Sequence, residues 1–122
     1  MRPSWSILLA VVLAVLGVAK LTAPYQPRLT IGGDPNDDLF SVAGATLLPD
    51  GRVAVAVAGT SEVRIYRRDG SLEHTWGGPG DGPEEFRLMA RMGRGGSDSL
   101  WVHDYGHSRI TWFSPDDGFL GA

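Results

Sequence analysis

The chain contains no cysteine. Disulfide bonds, thiolate metal sites and cysteine nucleophiles are therefore excluded, as is the acylated cysteine that a bacterial lipoprotein carries behind its apolar leader. Lysine is almost absent. Lys20 is the single lysine, and the other basic side chains are arginine. That bias fits a GC-rich coding sequence better than a phosphate-binding task. The formal net charge is only −3, and no basic stripe is present, so nucleic-acid binding has no electrostatic support. Long helical periodicity is also missing, and 17 glycines and 8 prolines punctuate short apolar runs instead. This is the pattern of short strands joined by tight turns. A hydrophobic fraction of 43% suits a folded chain, and 122 residues allow one domain beyond any targeting segment.

One long uncharged run does occur. Ile7 to Ala19 (ILLAVVLAVLGVA) lies between Arg2 and Lys20. At about 13 residues it is shorter than the roughly 20 of a membrane-spanning helix. A positive start, a short apolar centre and small residues at Gly17 and Ala19 read as a secretory signal peptide, cut after Ala19 or, with weaker support, after Ala23. An uncleaved N-terminal anchor is the second reading, and a buried core helix fits least. Either main reading sends the rest of the chain across a membrane, to an extracytoplasmic (periplasmic or secreted) location. Residues 1–23 are assigned to this hydrophobic segment, expected to be helical, and 24–28 to a linker.

From residue 29 the chain repeats. Ile31-Gly32-Gly33 with Asp38-Leu39-Phe40 recurs as Trp76-Gly77-Gly78 with Glu84-Glu85-Phe86, about 46 residues on. Between these marks, Val53 to Ala58 alternates valine and alanine, so both faces of that strand are apolar and both should be buried. Ala58 to Ser61 is a turn, Glu62 to Tyr66 an alternating strand, Arg68 to Ser71 an Asp-Gly turn, and Leu72 to Trp76 a further strand. Leu100 to Asp104 matches Val53 to Val57, Gly106 matches Gly59, Ser108 matches Ser61, and Ile110 to Phe113 matches Val63 to Tyr66. Ser41 to Leu48 and Arg87 to Met92 would open the two units, and Arg28 to Ile31 would be a lone strand before them. Four short antiparallel strands per repeat at this period define an all-β fold of β-propeller blades. The expected bounds are a blade over 40–78 and an incomplete one over 86–122, within a partial propeller of 29–122. A β-sandwich is the alternative, although its strands need not repeat by sequence.

At the run from Trp76 to Phe86 (WGGPGDGPEEF), at Asp98 to Val102 and at Asp104 to Ile110, the chain resembles the NHL-type, TolB-like six-bladed β-propellers. The resemblance covers roughly residues 29 to 120. It implies binding, scaffolding or sensing and, in some branches, a metal-dependent hydrolase or lyase. A closed ring of that type needs several further blades, so the missing ones are expected in the same, longer chain, with assembly of a ring from several chains as the alternative.

Asp104 and Arg109 flank the turn between the middle strands of the second unit, where the first unit has Val57 and Glu62. Their joint presence suggests a structural pair, in which the carboxylate accepts loop N–H groups or the guanidinium and fixes the turn. His103 and His107 bracket Asp104 but span a strand end and a turn, without the helical geometry that would make the spacing a zinc motif. The loops before Phe40 and Phe86 are acidic, and in propeller topology Asp38, Glu84 and His107 share one rim, where a cation or polar ligand could sit. Asp34 to Asp38 is not an EF-hand loop, since Leu39 stands where glycine is needed and Ala45 where glutamate is. Gly78 to Gly82 is not a phosphate loop, because prolines flank it and no lysine follows. The serines lack an elbow motif. Trp76, Trp101 and Trp112 are expected to pack between blades. The leading expectation is a non-enzymatic module that binds a small ligand or partner protein, with no cofactor and membrane contact only through the N-terminal segment. A fragment of a metal-dependent hydrolase or lyase is the runner-up, and pure tethering by the N-terminal segment is a third class.

Overall fold

The computed structural model describes residues 29–37 and 39–122. The hydrophobic segment at 1–23, the linker at 24–28 and the rim candidate Asp38 lie outside the described residues. Among the described residues no helix is long and apolar enough to cross a membrane.

Among the described residues, eight strands form two four-stranded antiparallel sheets. The first holds β1 (Val42–Leu47), β2 (Val53–Val57), β3 (Glu62–Tyr66) and β4 (Leu72–Gly77), paired in chain order. The second holds β5 (Met89–Arg94), β6 (Leu100–Asp104), β7 (Arg109–Ser114) and β8 (Gly118–Gly121), again in chain order. β8 has four residues against six in β4.

The repeat extends to irregularities. The register slips between Val42 and Gly44 in β1, and between Met89 and Arg91 in β5. It slips again at Ile65/Tyr66 and at Trp112/Phe113. Each pair of slips is separated by about 47 residues, the period of the sequence repeat. Ser61 and Ser108, matched by the same offset, both turn the chain with positive φ, 58° and 51°. A non-glycine residue rarely adopts that conformation, so its recurrence marks one turn design used twice.

Alternation decides which side chains meet. β2 and β3 pair Ala54 with Ile65 and Ala56 with Val63, and this face lies against the second sheet. Leu100, Val102 and Phe113 from β6 and β7 meet it there. Phe86, from the crossover between β4 and β5, is fully buried in the same core, with its ring 5.8 Å from that of Phe113. The small alanines let the sheets approach closely enough for these larger side chains to interdigitate. The opposite face of the first sheet carries Val55, Val57 and Tyr66, covered by Ile31 and Leu39. Both faces of β2 are thus buried, as its valine-alanine pattern requires.

The expected lone strand before the first unit does not form, as residues 29–31 have no strand structure. A strand needs a ladder partner for its N–H and C=O groups. Here Ile31 instead lays its side chain on the Val55–Val57–Tyr66 cluster. One of the three strand tryptophans lies between the sheets: Trp76 donates from Nε1 to Pro115 O at 3.3 Å. Trp101 and Trp112 lie on the outer face of the second sheet, and Trp112 is exposed.

Candidate functional site

The densest polar constellation surrounds the crossover from β4 to β5. Pro79 and Phe86 form a parallel bridge that closes residues 80–85 into a loop. Phe86 N donates to Gly78 O at 2.8 Å, and Gly80 N donates to Phe86 O at 3.2 Å. Glu85 turns its carboxylate inward and accepts from Gly82 N at 3.0 Å. A glycine-rich loop exposes many backbone groups, and side chains of the next strands satisfy those that the loop cannot.

Asp104 and Arg109 divide that work. They are register partners across β6 and β7. The Asp104 carboxylate is fully buried and accepts from Arg87 N (3.0 Å), Leu88 N (2.9 Å) and Gly106 N (2.9 Å). Burial pushes this carboxyl up, but the N–H groups of Leu88 and Arg87, the His107 ring and the Gly106 N–H outweigh it and hold it below the usual carboxylate range. The Arg109 guanidinium donates through Nη2 to the carbonyls of Gly82 (2.6 Å) and Glu85 (2.9 Å), and more weakly to Pro83 O at 3.4 Å. The carboxylate therefore collects the donors of the crossover and the guanidinium its acceptors. Among the described residues no ion pair joins Asp104 to Arg109 directly.

His107 lies between two carboxylates. Its Nδ1 is 2.6 Å from Asp104 Oδ2, a close electrostatic contact off the line of a hydrogen bond, and its Nε2 is 3.0 Å from Asp81 Oδ1. Asp81 is also gripped by Arg87, through Nε to Oδ1 and through Nη2 to Oδ2 at 2.9 Å. Arg87 first and His107 second hold the Asp81 carboxyl well below its usual range. Both ring nitrogens of His107 thus face carboxylates. Glu84 is exposed on the same loop and lines a shallow cleft of about 280 Å³ with Gly77, Gly82, Pro83 and Glu85. His103 is on the other side of β6, with its ring 5.0 Å from that of Tyr105, and does not join His107 in one site.

A second polar cluster, invisible in the sequence, lies at the opposite end of the strands. Arg52 donates to Asp50 at 2.8 Å, Glu73 at 2.9 Å and Asp116 at 2.7 Å. Asp116 belongs to the β7–β8 turn, so this guanidinium ties the first sheet to the second beside a cleft of about 290 Å³. Glu73, His74 and Asp116 bring potential ligand atoms within 4.8 Å of one another. The guanidinium of Arg52 bridges both carboxylates, so the positive charge that they attract is supplied by the chain itself. The signal for this cluster was weak because Asp50, Arg52, Glu73 and Asp116 come from three different turns or strands.

A third network joins Asp37 to the first sheet. Asp37 Oδ1 accepts from Arg64 Nη1 at 2.8 Å and from Tyr66 Oη at 2.7 Å. Burial first and Asp37 second push the Tyr66 hydroxyl up to about 12. Of these three constellations, none presents a free nucleophile or a convergent set of unpaired acids. Comparison with protein-family models and with curated proteins finds no match for this chain.

Proposed function

We propose that the chain is part of an extracytoplasmic β-propeller-type repeat protein of the NHL or TolB-like kind, acting as a module that binds a small ligand or partner protein. The observation that carries this reading is the recurrence, at one offset, of strand pairing, register slips and positive-φ serines in both sheets. Repetition at that fidelity is the mark of a stacked four-stranded unit. The polar chemistry supports binding over catalysis. Asp104, Arg109, Glu85 and His107 are engaged in holding the crossover, where a metal-dependent hydrolase needs several side chains converging on one ion.

Two measurements test the reading. The full chain is titrated with calcium, magnesium, manganese and zinc while its melting temperature is followed. A binding module of this kind shows no shift, whereas a saturable rise would favour the hydrolase or lyase reading, because a ligand bound only to the native state must stabilise it. For location, the absence of cysteine makes Ser97→Cys a unique label site in an exposed turn. A membrane-impermeant maleimide should label it in cells with an intact inner membrane. Labelling only after lysis would remove the extracytoplasmic assignment.

A further inference from the structure

One titratable side chain at the crossover is held from two sides. His107 stands in the turn between β6 and β7, with its side chain only 13% exposed. Its Nδ1 is 2.6 Å from Oδ2 of Asp104 at the end of β6, and its Nε2 is 3.0 Å from Oδ1 of Asp81 on the crossover. The first contact stays within one turn. The second joins that turn to the Gly80–Asp81 limb of the loop. The other end of the loop has an anchor of its own, since Arg109 holds the carbonyls of Gly82 and Glu85. In the first unit Thr60 occupies the position of His107 and donates to Glu62 Oε2 at 3.0 Å. A hydroxyl does not titrate there, so a titratable contact at this turn is a departure of the second unit from the repeat.

The geometry decides what each protonation state can do. A nitrogen lone pair 2.6 Å from the oxygen of a fully buried carboxylate meets only repulsion, so Nδ1 carries a hydrogen in both states of the ring. Which nitrogen of a neutral imidazole keeps its hydrogen is set by the partner of each. Asp104 is the stronger partner, being shut off from water, whereas Asp81 is exposed. The imidazolium therefore donates from Nε2 to Asp81 while Nδ1 faces Asp104. Loss of one proton to water takes it from Nε2 and turns a lone pair toward Asp81 Oδ1. An attraction of opposite charges becomes a repulsion. Arg87 stands behind Asp81 and grips both of its oxygens. Arg109, Glu84 and Glu85 are the remaining charged groups of the crossover and of the start of β7. Of all these side-chain types, only imidazole ordinarily changes charge between about pH 5 and 8.

We propose that His107 is a pH-sensitive clasp on the crossover. Protonated, it ties the Gly80–Asp81 limb to the β6–β7 turn. Neutral, it releases that limb, which swings on the Asp81–Arg87 ion pair while Arg109 keeps the far end of the loop in place. The loop that borders the cleft at Gly82, Pro83, Glu84 and Glu85 thus gains freedom as pH rises. The clasp rests on these contacts alone, so its failure would leave the propeller-type reading standing.

The test is amide hydrogen exchange in the full chain, read by NMR at Gly80 and Gly82, whose N–H groups are hydrogen-bonded in the closed loop. Exchange is measured between about pH 5.5 and about pH 8.5 and corrected for its intrinsic pH dependence. Protection at both glycines should fall about two- to fivefold across that range, the population shift expected from losing one exposed charge-assisted contact. The ladder amides of β2 and β3 should keep their protection and serve as the control. The fall should vanish in His107→Gln, because a glutamine amide can donate to Asp81 at every pH. It should vanish also in Asp81→Asn, because an asparagine amide can accept from the imidazolium and donate to the neutral ring. Two variants at two positions guard against loss of folding in either. Wild-type protection that stays constant or rises with pH would overturn the proposal, as would a fall of the wild-type size in either folded variant.

Discussion

Replacing Asp104 with alanine should destabilise the fold by about 2–4 kcal/mol at pH 7. The carboxylate is fully buried and accepts three backbone N–H groups, those of Arg87, Leu88 and Gly106. A hydrogen bond to a charged group contributes roughly 1.5–3 kcal/mol, which for three sets an upper bound well above the prediction. These hydrogen bonds are part-buried, so water entering the space left by the carboxylate should return much of the loss. Asp104→Asn should fall between wild type and alanine, because one amide oxygen still accepts while the NH₂ opposes a donor with a donor. Urea unfolding followed by tryptophan fluorescence measures this, with an unchanged slope showing that the same surface is exposed. The pH dependence has a definite sign. The folded pKa of Asp104 lies below its ordinary value, so its contribution is complete above about pH 4 and is lost as pH falls through the lower, folded value. The gap between wild type and Asp104→Ala should therefore narrow only in acid. A variant within about 0.5 kcal/mol of wild type at pH 7 would refute the view that this carboxylate holds the crossover.

Three further predictions concern the core and the Asp37–Tyr66 contact. Phe86→Ala removes a fully buried ring from between the sheets and should cost about 3–5 kcal/mol in the same urea assay, with a smaller loss meaning that the crossover collapses into the space. Thr111→Val should be neutral or raise stability by about 1 kcal/mol, since the buried Thr111 hydroxyl has no hydrogen-bond partner among the described residues. A clear loss of stability would show that the hydroxyl is satisfied. Tyrosinate absorbance on alkaline titration should show one late step near pH 12 that disappears in Tyr66→Phe. Because burial and Asp37 favour the neutral phenol, that contribution is present below about pH 10 and is lost as pH rises through the folded value. A Tyr66→Phe protein that keeps the late step would separate it from the Asp37 contact.

The two sheets were legible because their determinants are local. Alternation places each strand, and Asp-Gly and Gly-rich segments place each turn, so six of the strand spans read from sequence fall within one residue of the observed ones, which are Val42–Leu47, Val53–Val57, Glu62–Tyr66, Leu72–Gly77, Leu100–Asp104 and Arg109–Ser114. The second sheet's opening strand begins at Met89 rather than Arg87, because Arg87 and Leu88 give their N–H groups to Asp104 before any ladder begins. Arg28 to Ile31 reads as a closing strand from its place before the first double glycine, but that place supplies no partner strand, and residues 29–31 form none. Asp104 and Arg109 stood out because both are present in one repeat and absent from the other. Their partners did not, since backbone N–H and C=O groups carry no sequence signature.

Polar contacts without a signature in the sequence include two that act between repeats. Arg52 joins two sheets through Asp116, and His107 reaches back across the crossover to Asp81. Asp37 ties the segment before β1 to Arg64 and Tyr66 of the first sheet. A repeat reveals what each unit does for itself, because those residues recur. Residues that join one unit to the next need not recur, since each interface has its own pair of edges. In this chain the non-recurring charges are therefore the ones that specify how the units are ordered, while the recurring valines, alanines and serines build the units that they order. Arg52 and His107 are departures of that kind, since Ser99 and Thr60 stand at the matching positions of the other unit, and Trp112 departs likewise from Ile65.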